Sequence, residues 1–256
     1  MEDYAIRVIS SGLCLEVRLN DVPVYINNKG INSTDENFVN EFMAEGNNEL
    51  KLIVRPPYPL DEVPPTAQAV AELLSVERGD SVSDGEVLAQ VVWPDYRTPV
   101  PPRSYPQITE GKEYINTEDY RSWRNAPIIT LDNDTQKNIL GLLRQLTDAL
   151  DNRRIEDCIS LLKIKVIERA RAYHFDETEK LDQLRQSYSE LMQHPLWGIE
   201  AWKENNAKIE LLGNEKLVKI TDSVNEYIIQ STDLGGIQLV IPTYVTCLEN
   251  QWIIIR

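Results

Sequence analysis

The hydrophobic repeat of the chain changes once, near residue 130, and this change limits the fold more than any other feature. In the first half apolar and polar residues alternate, as in LCLEVRL at 13–19, and a period of two is typical of a half-buried strand. In the second half Ile139, Leu143, Leu146 and Leu150 recur every three or four positions, which indicates an amphipathic helix. We therefore expect two separate hydrophobic interiors.

Proline marks the boundary between the two halves. The run PDYRTPVPPRSYP at 94–106 favours polyproline II and a stiff connector; the alternative is a docking ligand for an aromatic-lined groove. We predict an α+β chain. It has an antiparallel β-sandwich at 1–93, a proline-rich connector at 94–127 and, at 128–256, helices packed on a curved antiparallel sheet.

Turn and cap signals give the elements within each half. The polar run at 27–37 predicts a loop, and AQAVAELLSV at 67–76 fits a strand or a helix equally well. Asp132 or Asp134 is predicted to cap a first helix, and Asp176 a third. A β-meander follows, with a hairpin turn at Gly213-Asn214, and Pro242 indicates an edge position or a bulge that bends its strand.

The first half resembles the jelly-roll sandwiches of the galactose-binding-like superfamily. The residues that carry the likeness are LEVRLNDVPVY at 15–25 and FVNEFMAEGNNELKLIV at 38–54. The resemblance implies that the Gly-Asn turn at 46–47 is structural, because Gly accepts a positive φ and Asn bonds its own backbone. The alternative is a sugar-binding loop, for which Tyr25 and Tyr58 are the available rings.

The second half resembles the superfamily of nuclear transport factor and ketosteroid isomerase. LTDALDNRRIEDCISLL at 146–162 and the ending IPTYVTCLENQWIIIR carry this likeness. The resemblance implies a cone of helices wrapped by a curved sheet, with an open-ended pocket for an apolar ligand. This chain departs from many members by a long third helix where they place a strand, so a generic domain of three helices and a sheet is the alternative.

Five residues are the candidates for lining such a pocket. Sheet alternation favours Tyr227, Tyr244 and Trp252, with Asp222 as the nearest acid, and His174 follows the second helix. Each also has a structural interpretation, because aromatic residues on sheets usually belong to a core and a histidine at a helix end favours the helix dipole. No residue is assigned a catalytic role.

Charge limits the kinds of partner that the chain can bind, and cysteine content indicates its compartment. The net charge of −15 argues against a nucleic-acid or anionic-membrane surface, which needs a basic footprint. Residues 1–126 carry 21 acids and 11 bases, a balance of −10, so a basic protein partner would dock on this half. Three separated cysteines indicate buried thiols in a reducing compartment. The sequence has no CxxC, HExxH or Gly-rich phosphate loop, and we predict neither a cofactor nor a metal.

We expect a soluble, non-catalytic binding or adaptor protein that recognises another macromolecule. Three alternatives stay open: an isomerase, cyclase or dehydratase acting in the cone, an immunity protein that neutralises a basic toxin, and carbohydrate binding by the sandwich. The acidic start MEDYAIRVIS predicts a cytoplasmic protein if Met1 is the native start, and a periplasmic one if a signal peptide has been removed. The oligomeric state is left open.

Overall fold

The chain forms two compact units, Met1–Arg121 and Ser122–Arg256. The structure is a computed structural model that describes residues 2–94, 105–223 and 227–255. Antiparallel sheets fill the first unit, and three helices with a further antiparallel sheet fill the second, so the α+β prediction is confirmed. Each unit has its own hydrophobic core. No helix among the described residues is long and apolar enough to span a bilayer.

The first unit is a sandwich of two four-stranded antiparallel sheets. Its strands are β1 Glu2–Ser11, β2 Cys14–Leu19, β3 Val22–Asn27, β4 Ser33–Phe38, β5 Gly46–Arg55, β6 Gln68–Glu77, β7 Glu86–Trp93 and β8 Gln107–Ile115. The first sheet has the strand order β4-β1-β6-β7, and the second sheet has the order β3-β2-β5-β8. Alternate residues such as Ile6, Val8, Leu15 and Val17 are fully buried between the sheets, as a period of two requires.

Two strands lie where the sequence predicts none. The predicted loop at 27–37 contains β4, and the predicted connector at 94–127 contains β8. Both are edge strands with mostly exposed side chains, so their composition is polar and their hydrophobic signal is weak. The ambiguous segment at 67–76 belongs to a strand, β6. Most of the proline-rich run lies at 95–104, outside the described residues.

The Gly-Asn turn before β5 is held by a buried amide. Asn48 is 1% exposed, and its Oδ1 accepts the backbone N–H of Ala44 at 2.8 Å. Its Nδ2 donates to the carbonyl oxygens of Ala44 at 2.9 Å and Gly46 at 3.0 Å. Asn20 donates to the same Oδ1 at 2.8 Å. These bonds satisfy the side chain from within the turn, which therefore has a structural role.

The second unit packs three helices on a sheet. The helices are α1 Asn133–Asp151, α2 Ile155–Ala172 and α3 Glu177–Met192. Asp132 caps α1 by accepting the N–H of Thr135 at 2.7 Å, and Asp176 caps α3 by accepting that of Glu179 at 2.8 Å, as predicted. The strands are β9 Ala207–Leu212, β10 Leu217–Asp222, β11 Ile229–Gln230, β12 Val240–Ile241, β13 Thr243–Leu248 and β14 Gln251–Ile254.

Antiparallel pairing arranges these strands as β14-β13-β10-β9, with β11 and β12 as a separate pair. Pro242 lies between β12 and β13, where the chain passes from the pair to the sheet, so it separates two strands instead of bending one. Residues such as Val218, Ile220, Val245 and Ile254 share one core with the buried residues of the helices.

Candidate functional site

The strand register separates two of the predicted pocket residues. Val245 pairs with Ile254, both belong to the core under the helices, and Trp252 packs against that core. Tyr244 precedes Val245 by one position and therefore points to the opposite face of the sheet. The expectation that Tyr244 and Trp252 line one pocket is thus corrected, because the pairing of β13 with β14 fixes them on different faces.

The other three candidates lie in different settings. Asp222 ends β10 on the same face as Ile220 and is buried to 9% exposure. Tyr227 is half-buried and follows the undescribed residues 224–226. His174 is exposed just after α2 and has a φ of 54°, a position that closes the helix end. The interior that they were expected to line is built from buried Ile, Leu and Val side chains of the helices and sheet.

Two surface grooves of the second unit hold charged side chains that pair with one another. The larger, of about 560 Å³, lies at the start of α2, where Arg185 binds Glu156 with Nε to Oε1 at 2.7 Å. The smaller, of about 380 Å³, lies beside Trp202, whose indole N–H donates to Thr147 Oγ1 at 3.0 Å. Many of the charged side chains in both grooves are therefore already paired with one another.

The buried thiols are poor nucleophiles. Burial raises the pKa of Cys158 to about 11 and also raises the pKa of Cys14, so both thiols stay protonated at neutral pH. Among the described residues, no group of three or more His, Cys, Asp or Glu side chains is placed to hold a metal ion. The remaining candidate for a functional site is a surface of the sandwich.

Apolar side chains form two rows across the first sheet, on the side turned away from the second sheet, which we call the outer face. Register places Phe38, Ala5, Leu74 and Val87 side by side across the four strands. A second row crosses the sheet four residues further along β1 and consists of Thr34, Ile9, Val70 and Val92. Ile9 is 40% exposed, and Phe38 and Val87 are each 44% exposed, whereas Ala5 and Leu74 between them are fully buried in a small cluster with Val82.

A polar row runs between the two apolar rows and is satisfied within the sheet. Arg7 lies opposite Glu72, and its Nη2 and Nε are 2.6 Å and 2.7 Å from Glu72 Oε2. Gln90 Nε2 donates to the other carboxylate oxygen of Glu72 at 2.7 Å. Because both oxygens already have partners, a protein that covered this face would not leave the buried carboxylate without hydrogen bonds. Glu36, opposite Arg7 on β4, is exposed.

The outward side of the second sheet has a different character. Its side chains form a network of ion pairs, including Arg18 with Glu16 at 2.5 Å and Lys51 with Glu49 at 3.2 Å. Lys112 reaches Glu49 at 3.2 Å as well. This face also exposes Ile108 and Tyr114 on β8, but the charged residues Glu110 and Lys112 lie between them. On the outer face of the first sheet the exposed apolar side chains accompany an acidic β4 edge. The two sheets therefore differ in what each offers a partner.

Sequence reasoning missed the outer face for an identifiable reason. The polar run at 27–37, which includes Glu36, predicts a loop, and Phe38 opens a short apolar segment, so the sequence does not place either residue beside β1. The signal was present in β6, where Val70, Glu72 and Leu74 alternate with the inward residues Ala69, Ala71 and Leu73. Apolar residues on both sides of a strand indicate that both faces are covered or apolar. Comparisons of the chain with protein-family models, curated proteins and solved structures find no match.

Proposed function

We propose that this chain is a non-catalytic binding protein that recognises another protein, of basic character, through the outer face of the first sheet. The observation that carries the proposal is the group of three exposed apolar side chains, Ile9, Phe38 and Val87, on the outer face of an otherwise strongly acidic unit. Exposed apolar side chains on one face of a folded domain are typical of a protein-binding site. The resemblances to the jelly-roll and cone superfamilies remain predictions and do not enter the argument.

Charge supports the choice of a basic partner. Residues 1–121 carry 21 acids and 10 bases, a balance of −11. The field of such a unit accelerates association with a positively charged protein, and the apolar rows would then supply short-range affinity. The Glu72 side chain is only 10% exposed and both of its carboxylate oxygens have partners, so a protein that covers the face removes little further water from it.

The proposal is tested by site-specific photo-crosslinking in cells. A benzophenone amino acid is placed at Phe38, at Val87 or, as control, at Ile108, which is 57% exposed on β8 of the second sheet. We expect one basic protein to be crosslinked from the first two positions and not from the third. Crosslinks of equal yield from Ile108, or none from Phe38 and Val87, would contradict the proposal.

The identified partner is then purified and its affinity measured at low and high salt. The double variant Ile9→Thr/Phe38→Thr keeps strand propensity and removes apolar area, and we expect it to weaken binding by about tenfold or more. Ile108→Thr serves as the matched control and should leave the dissociation constant unchanged. High salt should slow association, since the field of the acidic unit is screened.

A further inference from the structure

The sandwich has four edge strands, and three of them are protected against pairing with another strand. The edge strand β3 contains Pro23, and a register irregularity lies between Val17 and Arg18 of its neighbour β2. The edges β7 and β8 shield one another, and Trp93 Nε1 of β7 donates to Gln107 Oε1 of β8 at 2.8 Å. Protection of this kind prevents an edge from adding a foreign strand.

The fourth edge, β4, has no proline and no register irregularity. Tyr25 Oη of β3 lies 2.6 Å from Ser33 Oγ at the start of β4, but β4 packs less closely on β3 than β7 does on β8. It pairs with β1 in unbroken register from Phe38 opposite Ala5 to Ser33 opposite Ser10. The strand STDENF contains no proline. An edge of this length with regular geometry presents a row of backbone donors and acceptors to any extended chain that approaches it.

One hydrogen bond identifies which backbone groups face outward. The N–H of Val39 donates to the carbonyl oxygen of Tyr4 at 2.8 Å, so these two residues form a hydrogen-bonded pair. In an antiparallel ladder such pairs alternate with non-bonded ones. The N–H and C=O groups of Thr34, Glu36 and Phe38 therefore point away from β1. Across residues 2–94, 105–223 and 227–255, no side chain or backbone group bonds to them.

The charge of β4 selects the kind of strand that fits. Asp35 and Glu36 lie at its centre, and the strand carries no basic residue. A second copy of β4 in close register would bring acids next to acids, and like charges opposite one another destabilise a strand pair. Lysine or arginine opposite the same residues stabilises it. The edge therefore favours a basic strand over another copy of this chain.

We propose that β4 is a strand-addition site for an extended, basic segment of the partner protein. The inference rests on the proposed function and specifies how the partner binds. The added strand extends the first sheet and pairs with the outward groups of Thr34, Glu36 and Phe38. On the outer face it places a basic side chain beside Glu36 and an apolar one beside Phe38, two positions away; on the other face it places a basic side chain beside Asp35.

The probe for this site is the labelled peptide TVTKKTVT, paired antiparallel with β4. Its first lysine lies opposite Glu36, its second lysine lies opposite Asp35, and the valine two positions before the first lysine lies opposite Phe38. Binding to the full chain is measured by fluorescence anisotropy, with TVTEETVT as the acidic counterpart. We expect saturable binding of the basic peptide and a preference over the acidic one of about tenfold or more. No saturable binding of the basic peptide would overturn the proposal.

Charge reversal on the edge gives the sharper test. Glu36→Lys should weaken binding of the basic peptide by about tenfold and strengthen binding of the acidic one, since position 36 then repels lysine and attracts glutamate while Asp35 is unchanged. The matched control is Glu110→Lys on the protected edge β8, which should preserve the original preference. An unchanged preference in Glu36→Lys would exclude β4 as the site.

Amide hydrogen exchange separates this proposal from the proposed function. Strand addition should slow exchange of the Thr34, Glu36 and Phe38 amides, which are unbonded in the free chain, because each gains a hydrogen-bond acceptor. If the crosslinked partner still docks on the outer face and these amides exchange as before, strand addition is wrong and the proposed function stands. If Phe38 and Val87 yield no specific crosslink, the proposed function itself fails.

Discussion

The indole of Trp123 lies so close to Gly213 that a β-carbon on residue 213 would be 2.5 Å from Cζ3 of the ring. Gly213 also has a φ of +58°, in the left-handed region, where it begins the turn between β9 and β10. Trp123 is 3% exposed, so its ring has no free space into which it could move. The contact thus joins the segment before α1 to the sheet of the second unit.

Gly213→Ala should destabilise the second unit by about 2–4 kcal/mol, because it adds a steric clash to an unfavourable backbone conformation. Gly235→Ala is the matched control: Gly235 has a φ of +89°, and a β-carbon there would meet no atom within 4 Å. Chemical denaturation followed by tryptophan fluorescence measures both variants. Equal losses would mean that the Trp123 contact contributes nothing beyond backbone strain.

Asn48→Ala should lower the free energy of unfolding of the first unit by about 2–4 kcal/mol, since it leaves the buried N–H and C=O of Ala44 without their partner. The exposed neighbour Asn47 provides the control, and Asn47→Ala should cost under about 0.5 kcal/mol. A comparable loss in the two variants would argue against a structural role for the turn.

Asn48→Asp should add a pH dependence to the same site. A carboxylate would face the carbonyl oxygens of Ala44 and Gly46, which accept hydrogen bonds from Asn48 Nδ2. The folded state then favours the protonated acid, so the pKa of the introduced group is raised above its unfolded value. Stability is therefore retained below the unfolded pKa and lost as pH rises through the folded pKa. A melting temperature that falls with acidification relative to the native chain would contradict this.

Asp132 should give a pH dependence of the opposite sign. The backbone N–H of Thr135 lowers the pKa of Asp132, so its contribution to stability is present above the unfolded pKa and lost as pH falls through the lower folded value. Asp132→Asn keeps the capping oxygen and removes the titrating group. We expect the fall of the melting temperature in acid to be shallower in the variant. Parallel curves for the two proteins would show that the cap charge has no effect.

The loss of stability on changing the polar row should depend on whether Glu72 alone or both Arg7 and Glu72 are replaced. Glu72→Leu alone leaves Arg7 partly covered and without its partner Glu72. We expect the free energy of unfolding to fall by about 1–2 kcal/mol, a modest value because the arginine side chain is 23% exposed. The double variant Arg7→Met/Glu72→Leu should recover most of that stability, because two apolar side chains need no partner for a buried charge. A denaturation cycle over the four proteins tests this; strict additivity of the two single losses would show no coupling.

Thiol labelling should distinguish the three cysteines. Cys158 and Cys14 are buried with raised pKa values, whereas Cys247 is partly exposed. At neutral pH a thiol reagent should therefore label one cysteine in the native chain and three after denaturation. Cys247→Ser should remove the native reaction. Rapid labelling of that variant without unfolding would contradict the burial of the other two thiols.

The parts of the fold that burial specifies were predictable from the sequence. The change of repeat near residue 130 and the caps at Asp132 and Asp176 each depend on local residues that contact their own neighbours. The turn at 46–47 is structural as expected, but the amide that holds it belongs to Asn48 and also accepts a bond from distant Asn20. The two edge strands were not predictable. β4 and β8 bury few side chains, so long-range pairing with β1 and β5 forms them without a hydrophobic period.

The candidate surface was missed because it depends on register. Phe38, Ile9 and Val87 are far apart in sequence and become neighbours only when three separate strand pairings are known. Sequence alternation also assigned Tyr244 and Trp252 to one pocket without the pairing of β13 with β14 that places them on opposite faces. Acid content, by contrast, was visible at once and still points to a basic partner.

The acids at the centre of β4 have a consequence for handling the protein. Asp35 and Glu36 oppose the edge-to-edge joining of two molecules through like-charge repulsion. High salt screens that repulsion and leaves a regular strand beside Phe38. Slow self-association in concentrated salt should therefore begin at this edge.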